Sequence, residues 1–181
     1  MAHNVTARGF LRRRDRVVGV ETSDAAMEAD AVVICTGANA GALLRNARLA
    51  VPIYPLKGYS VTSALGPRAP QVSLTDLDRR IVFAHLGSRM RLAGFVDFAG
   101  NDTSIDQQRI AALVKLGRSI LPEAANFDGP LQAWAGLRPA TPSGLPIVGP
   151  TRLRGLYLNA GHGGLGWTLA CATAQELAEQ L

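Results

Sequence analysis

The chain has 181 residues, 48% of them hydrophobic and 18% charged, with 19 Lys and Arg against 14 Asp and Glu for a net charge of +5. A chain of this length buries roughly 70% of the surface that it exposes when unfolded, so it needs no disulfide or metal staple, and its apolar content excludes intrinsic disorder. It offers neither the run of about 18 apolar residues that a membrane helix needs nor an apolar export segment near its start, so the cytoplasm is the expected compartment.

Residues 5–20 read as a hairpin whose turn carries Arg12, Arg13, Arg14 and Arg16. No aromatics are interleaved with these arginines as they are in nucleic-acid grooves, so a solvated turn is expected and no nucleic-acid partner. The run Ala31-Val32-Val33-Ile34-Cys35-Thr36-Gly37 is apolar and closed by glycine, which predicts a strand buried on both faces between parallel neighbours. Cys35 and Cys171 both lie in apolar segments without a second thiol or a histidine at ligand spacing, and are expected as reduced core residues.

A short helix is predicted over 40–46, then a long, proline-punctuated strand over 51–62. Two strands over 80–84 and 90–96, joined through Leu86-Gly87-Ser88, suggest an antiparallel meander. Ile110, Leu113, Val114, Leu116, Ile120 and Leu121 recur at helical spacing between Asp106 and Pro122, which predicts an amphipathic helix over 106–121. A strand over 131–137, a Pro/Gly-rich crossing over 138–150, a strand over 155–159 and a helix from residue 165 complete the chain.

Two places carry chemistry. Gly161-His162-Gly163-Gly164-Leu165-Gly166 joins a strand to a helix as G-x-G-x-x-G, but no strand with an acidic residue follows about 20 positions on, so it is not a dinucleotide fingerprint. A tight packing turn and a helix N-terminus aimed at a cofactor's electron-accepting ring both fit it. Arg138 emerges from the largely apolar strand Ala133-Trp134-Ala135-Gly136-Leu137, and a charge there needs a partner. A structural ion pair and a substrate carboxylate would each satisfy its fork. The three histidines form no H-E-x-x-H, and there is no G-x-S-x-G and no Walker lysine loop. No metal site or side-chain catalyst is expected, and the chemistry falls to a bound cofactor.

Three stretches together resemble a known family. They are Tyr54-Pro55-Leu56-Lys57-Gly58-Tyr59-Ser60, then 134–149 around Gly136-Leu137-Arg138-Pro139, and 156–168 around Gly161-His162-Gly163-Gly164. They are similar, in order and over nearly the whole chain, to the small subunit of D-amino acid dehydrogenase, of the flavin family of D-amino acid oxidase, glycine oxidase and sarcosine oxidase. The resemblance implies FAD, with the backbone of Gly163, Gly164, Leu165 and Gly166 at the flavin's pyrimidine edge. Gly161, His162, Trp167 and Gly136 would stand nearby, Thr36 and Gly37 by the ribose and pyrophosphate, and Val5 by the adenine. It implies that Arg138 holds the substrate carboxylate, with Tyr54 and Lys57 as further substrate contacts. Some oxidase relatives place a tyrosine in the strand that here reads Arg80-Ile81-Val82-Phe83-Ala84-His85, and this sequence has none there.

The implied activity is oxidative deamination of D-amino acids to 2-oxo acids and ammonia, with hydride transfer to flavin. The expected fold is α+β. An antiparallel-sheet substrate domain with helices would span 51–140, and a partial α/β, Rossmann-like FAD-binding remnant would come from both chain ends, 1–50 and 141–181. The family's first strand, glycine fingerprint and acidic ribose ligand do not appear, so the chain is expected to behave as a C-terminal portion, weakly active alone and needing a complementing N-terminal half. The resemblance also implies an electron-acceptor partner and loose contact with the inner membrane. Two alternatives remain beside it: a non-catalytic amino-acid or protein-binding module that keeps Arg138, and a substrate of the glycine or sarcosine type.

Overall fold

A computed structural model describes residues 1–181. In chain order the elements are β1 (Ala7–Arg13), β2 (Arg16–Thr22), β3 (Ala26–Glu28), β4 (Val32–Ile34), α1 (Ala40–Asn46), β5 (Tyr54–Ala64), β6 (Leu74–Asp76) and β7 (Ile81–Leu86). They continue with β8 (Arg89–Asp97), α2 (Gln107–Ile120), β9 (Gln132–Ala140), β10 (Ile147–Pro150), β11 (Leu156–Ala160) and α3 (Gly166–Ala178). The architecture is α+β, and no helix is long and apolar enough to cross a membrane. The chain divides into two units, one of Met1–Pro55 with Arg138–Leu181 and one of Leu56–Leu137.

The first unit is built from both chain ends. Its β1-β2-β3 sheet is antiparallel, and β1 and β2 form the expected arginine-tipped hairpin. A second sheet has the order β10-β11-β4, with β10 antiparallel to β11 and β11 parallel to β4. Val17, Val32, Ile34, Leu44, Leu156 and Leu158 are the centre of its core. Burial of such side chains at about 25 cal/mol per Å² is the main stabilising contribution here. The strand expected over 31–37 is shorter than its apolar run: only Val32–Ile34 pairs, β4 has a single neighbour, and Val33 is half-buried.

Both cysteines depart from expectation, for they are exposed. Cys35 lies one residue beyond the end of β4, where pairing has stopped. Cys171 sits on α3, whose buried residues are Thr173 and Leu177, and two positions before Thr173 is about 200° around a helix, on the opposite face.

The second unit is a five-stranded sheet of order β6-β7-β8-β5-β9, antiparallel from β6 through β5. Helix α2 starts where Asp106 accepts hydrogen bonds from the backbone N–H groups of Gln108 and Arg109, a side-chain N-cap. It buries Ile110, Leu113 and Gly117 in a core with Val61, Phe83, Met90 and Leu92. Gly117 is there because α2 runs close to β8: a Cβ at 117 would collide with Leu92 Cδ2 and sit 3.5 Å from Phe127.

Polar groups also enter this unit. Lys57 is only 2% exposed, and its ammonium donates to Asp102 at 2.7 Å and to Ser104 Oγ at 3.4 Å. Between the pairs Lys57–Asp97 and Tyr59–Gly94 the register shifts, a bulge in β8 that contains Phe95, which takes a left-handed φ of 60°. Beyond the bulge, Asp97 accepts from the Tyr59 hydroxyl at 2.9 Å and pairs with Arg109 through two contacts of 3.1 and 2.5 Å. Together these pairs anchor the 98–105 connection between β8 and α2.

Two outcomes follow from this packing. Gly117→Ala gains about 1 kcal/mol of helix propensity but overpacks a closed site at a cost of about 1–3 kcal/mol, so urea unfolding should show net destabilisation; a gain would contradict the α2–β8 contact. The hydrogen bond from Lys57, with the Ser104 backbone N–H and hydroxyl, holds the Asp102 carboxyl down from its ordinary 3.8 to about 2. Its folded value lies below its unfolded one, so its stabilisation is present above about pH 4 and is lost as pH falls through about 2. The difference in urea midpoint between the native chain and Asp102→Asn should therefore narrow from pH 4 to pH 2; a constant difference would contradict the pairing.

Candidate cofactor-binding site

In the first unit two strand–turn–helix segments end side by side. β11 and β4 are parallel with Leu156 opposite Val32, Tyr157 opposite Val33 and Leu158 opposite Ile34, so their carboxyl ends lie at one edge of the sheet. Ligands of α/β sheets bind at such ends. Past β4 the chain runs through Thr36 into a 3-10 turn, Gly37–Asn39, and α1. Past β11 it runs through Gly161 and His162 into a second 3-10 turn, Gly163–Leu165, and α3.

Glycine has different causes along the second turn. Gly161 has φ 86°, and a Cβ there would press to 2.7 Å on Thr141 Cγ2, so local packing alone demands glycine. Gly164 has neither a positive φ nor any atom within 4 Å of where its Cβ would be. Nothing in the chain requires glycine at 164, which leaves its backbone open to the approach of another group. The N-terminus of α3 has no side-chain cap and no acidic residue in its first turn, so its leading N–H groups and positive end potential remain uncompensated by side chains.

The side chains around this turn point to backbone recognition. His162 Nε2 lies 3.2 Å from Thr173 Oγ1, which donates in turn to the Leu169 carbonyl at 3.0 Å, so the ring is tied back onto α3. Trp167, at the start of α3, is 96% exposed and Leu165 is exposed as well. Two residues before Gly161, the Asn159 side-chain oxygen is buried without a hydrogen-bond partner, and a buried acceptor of this kind carries a desolvation cost until it is paired.

The other expected residues fall as follows. Val5 is half-buried just ahead of β1. The next residues, Thr6 and Ala7, line a groove of ≈ 390 Å³ together with Thr36, Asn39 and Asn46, so the start of the chain and the end of β4 are brought together. Arg138 is half-buried on β9, and burial pushes its pKa down from its ordinary value, a sign that its charge is partly desolvated. The next residue, Pro139, is the nearest neighbour of a Cβ built on Gly37, at 3.9 Å. Tyr54 is exposed at the first position of β5.

Lys57 and Gly136 belong to the second unit. The Lys57 ammonium is taken up by Asp102 and Ser104, and at Gly136 the six-membered ring of Trp134 fills the space of a Cβ. Sequence reasoning passed over Asn159, Thr6, Asn39 and Asn46. For Asn159 a signal was present, a polar side chain between Leu158 and Ala160 in a strand that buries both.

Comparison with known proteins shows the family to which the chain belongs. The chain is 46% identical over 167 residues to D-amino acid dehydrogenase 2 of Pseudomonas aeruginosa, covering 91% of this chain and 40% of that protein. It is 43% identical over 182 residues to an uncharacterized oxidoreductase of Halorhodospira halophila, covering 98% of this chain and 83% of that one. The chain thus spans about two fifths of the length of the curated dehydrogenases it matches, at 40%, 44% and 42%. Among solved structures, glycine oxidase from Geobacillus kaustophilus superposes with a TM-score of 0.85 at 23% identity, over 97% of this chain and 47% of that one, a likeness of fold. The family model for FAD dependent oxidoreductases matches residues 1–180, and the chain belongs to that family.

Proposed function

We propose that this chain supplies the flavin-edge and substrate-carboxylate parts of an FAD-dependent dehydrogenase that converts D-amino acids to 2-oxo acids and ammonia. The observation that carries the reading is the pairing of two parallel strand ends with the open backbone at Gly164 and the uncapped start of α3. The residues present fit FAD: the turn offers main-chain donors and room, the buried Asn159 oxygen lacks a donor, and the Thr6–Thr36 groove lies at the end of the neighbouring strand.

FAD, when bound, supplies the acceptor for the hydride that leaves the amino acid's α-carbon. The protein's share is orientation and electrostatics. Arg138 would grip the carboxylate through two parallel N–H bonds, and its partial desolvation strengthens that grip. Fixing the carboxylate fixes the direction of the α-hydrogen, which is the gain from binding in a near-attack geometry. The N–H groups of Gly164, Leu165 and Gly166, with the positive end of α3, would stabilise negative charge that gathers at the ring during transfer. No side-chain base is assigned, since the His162 ring is committed to Thr173. The imino acid product is then hydrolysed by water. On this reading a dinucleotide-binding segment completes the pyrophosphate site, and a respiratory electron acceptor reached at the inner membrane reoxidises the flavin.

The test is the visible spectrum of the chain, purified together with the dinucleotide-binding segment that completes its pyrophosphate site and supplied with FAD, followed without oxygen as D-alanine is added. A flavin band that bleaches is expected, and Arg138→Ala should raise the D-alanine concentration that half-saturates the bleaching rate roughly 10- to 100-fold, the loss of one charge-assisted pair. A chain that FAD never reconstitutes contradicts the flavin assignment; unchanged half-saturation in Arg138→Ala contradicts the carboxylate assignment.

A further inference from the structure

Within the first unit, a crevice of ≈ 450 Å³ lies between the connection that follows α1 and the strands β10 and β11. That volume falls in the range of small-molecule sites, roughly 300–1,000 Å³. Its walls are apolar: Leu49 and Leu158 belong to the core of the unit, and Val51 and Ile147 pack against that core. Arg48 and Arg152 also line it, and both are exposed. None of these residues belongs to the turns that follow β4 and β11.

Positive charge gathers here without a counter-charge. Arg152 Nη2 donates to the Arg48 carbonyl, which holds the two residues together. A Cβ on Gly41 would lie 3.8 Å from Arg45 Nη1 and 3.9 Å from Val51 Cγ2, so a third guanidinium reaches the same wall. None of the three takes part in an ion pair. The cause is visible in the sequence, which has no acidic residue between Asp30 and Asp76 or between Asp128 and Glu176. Every residue of the crevice comes from those two stretches.

Arg48 is also kept at some cost to the backbone. At the end of α1 its N–H donates to the Arg45 carbonyl, and the Leu49 N–H donates to the Leu44 carbonyl. In this closure the residue at position 48 takes a left-handed conformation and is most often glycine; here it is an arginine with φ 57°. A cation near the end of a helix is favourable, but Arg45 already supplies one in the last turn of α1.

We infer that the crevice is a binding site for an aliphatic carboxylate, a small acid with an apolar chain. The acid head is held among Arg45, Arg48 and Arg152, whose forks suit a carboxylate and stay charged at every working pH. The chain lies along Leu49, Val51, Ile147 and Leu158 and gains from leaving water. The inference stands apart from the flavin and substrate assignments.

Calorimetric titration with decanoate, kept below its micelle-forming concentration, tests this on the chain purified together with its dinucleotide-binding segment and FAD. One site is expected, and decanoate should bind roughly tenfold or more tightly than either acetate or decanol, each of which lacks one half of the contact. Arg48→Gly should weaken decanoate roughly fivefold, the upper range for an exposed ion pair. Its unfolding midpoint should stay level or rise, because glycine suits a left-handed position, and this separates a lost contact from a lost fold. Ala50→Asp, which puts a negative charge on an exposed lining residue, should also weaken decanoate, whereas Arg138→Ala should not. Acetate that binds as tightly as decanoate, an affinity that follows Arg138→Ala and ignores Arg48→Gly, or binding to phosphatidylglycerol vesicles with none to decanoate would each overturn the inference.

Discussion

Three residue pairs between β11 and β4 set the position of nearly everything that matters in the first unit. They are parallel pairs, so both strands deliver their carboxyl ends to the same edge, and both must then be continued by a turn and a helix. Antiparallel pairing of the same residues would send Thr36 and Gly161 to opposite ends of the sheet. The strands can be this short because their side chains are well placed: Val32, Ile34, Leu156 and Leu158 all enter one core with Val17 and Leu44. The turn after β11 is equally constrained at Gly161 by Thr141, whereas at Gly164 it is open. A backbone fixed at one glycine and free at another three residues later is a preorganised surface, and preorganised donors stabilise charge without having to reorient.

The second unit solves a different problem. Its sheet buries Lys57, and a buried ammonium is tolerated only with a partner, so the connection after β8 folds back to supply Asp102 and Ser104. The left-handed Phe95 costs of order 1–3 kcal/mol, and its bulge lets Asp97 meet both the Tyr59 hydroxyl and Arg109. Strain, burial and charge are therefore coupled over one stretch of chain. The lysine that the resemblance offers as a substrate contact donates two hydrogen bonds to this stretch.

The parts legible in the sequence were those with local causes. Asp106 and Pro122 bracket α2 because a capping carboxylate and a residue without an N–H act within one turn of their own position. The glycine turn before α3 was legible for the same reason, and so was the hairpin tipped by arginines. The strands β3, β6 and β10 were not legible, since three or four residues give no measurable alternation and β10 falls in a stretch rich in proline and glycine. The exposure of Cys35 was hidden because an apolar run does not say where pairing stops. Lys57 and Asp102 stand 45 positions apart, and no periodicity joins them. The lean of Trp134 over Gly136 is a rotamer choice, and the letters W-A-G alone do not state it.

The central claim is that the carboxyl ends of β4 and β11 form one flavin-binding surface, and amide NMR of the ¹⁵N-labelled chain during an FAD titration tests it most directly. The account predicts that the largest shifts fall on Thr36–Asn39 and on Asn159–Trp167, with the amides of β7 and β8 scarcely moved. Shifts that spare the Gly161–Gly166 turn while appearing elsewhere would contradict it.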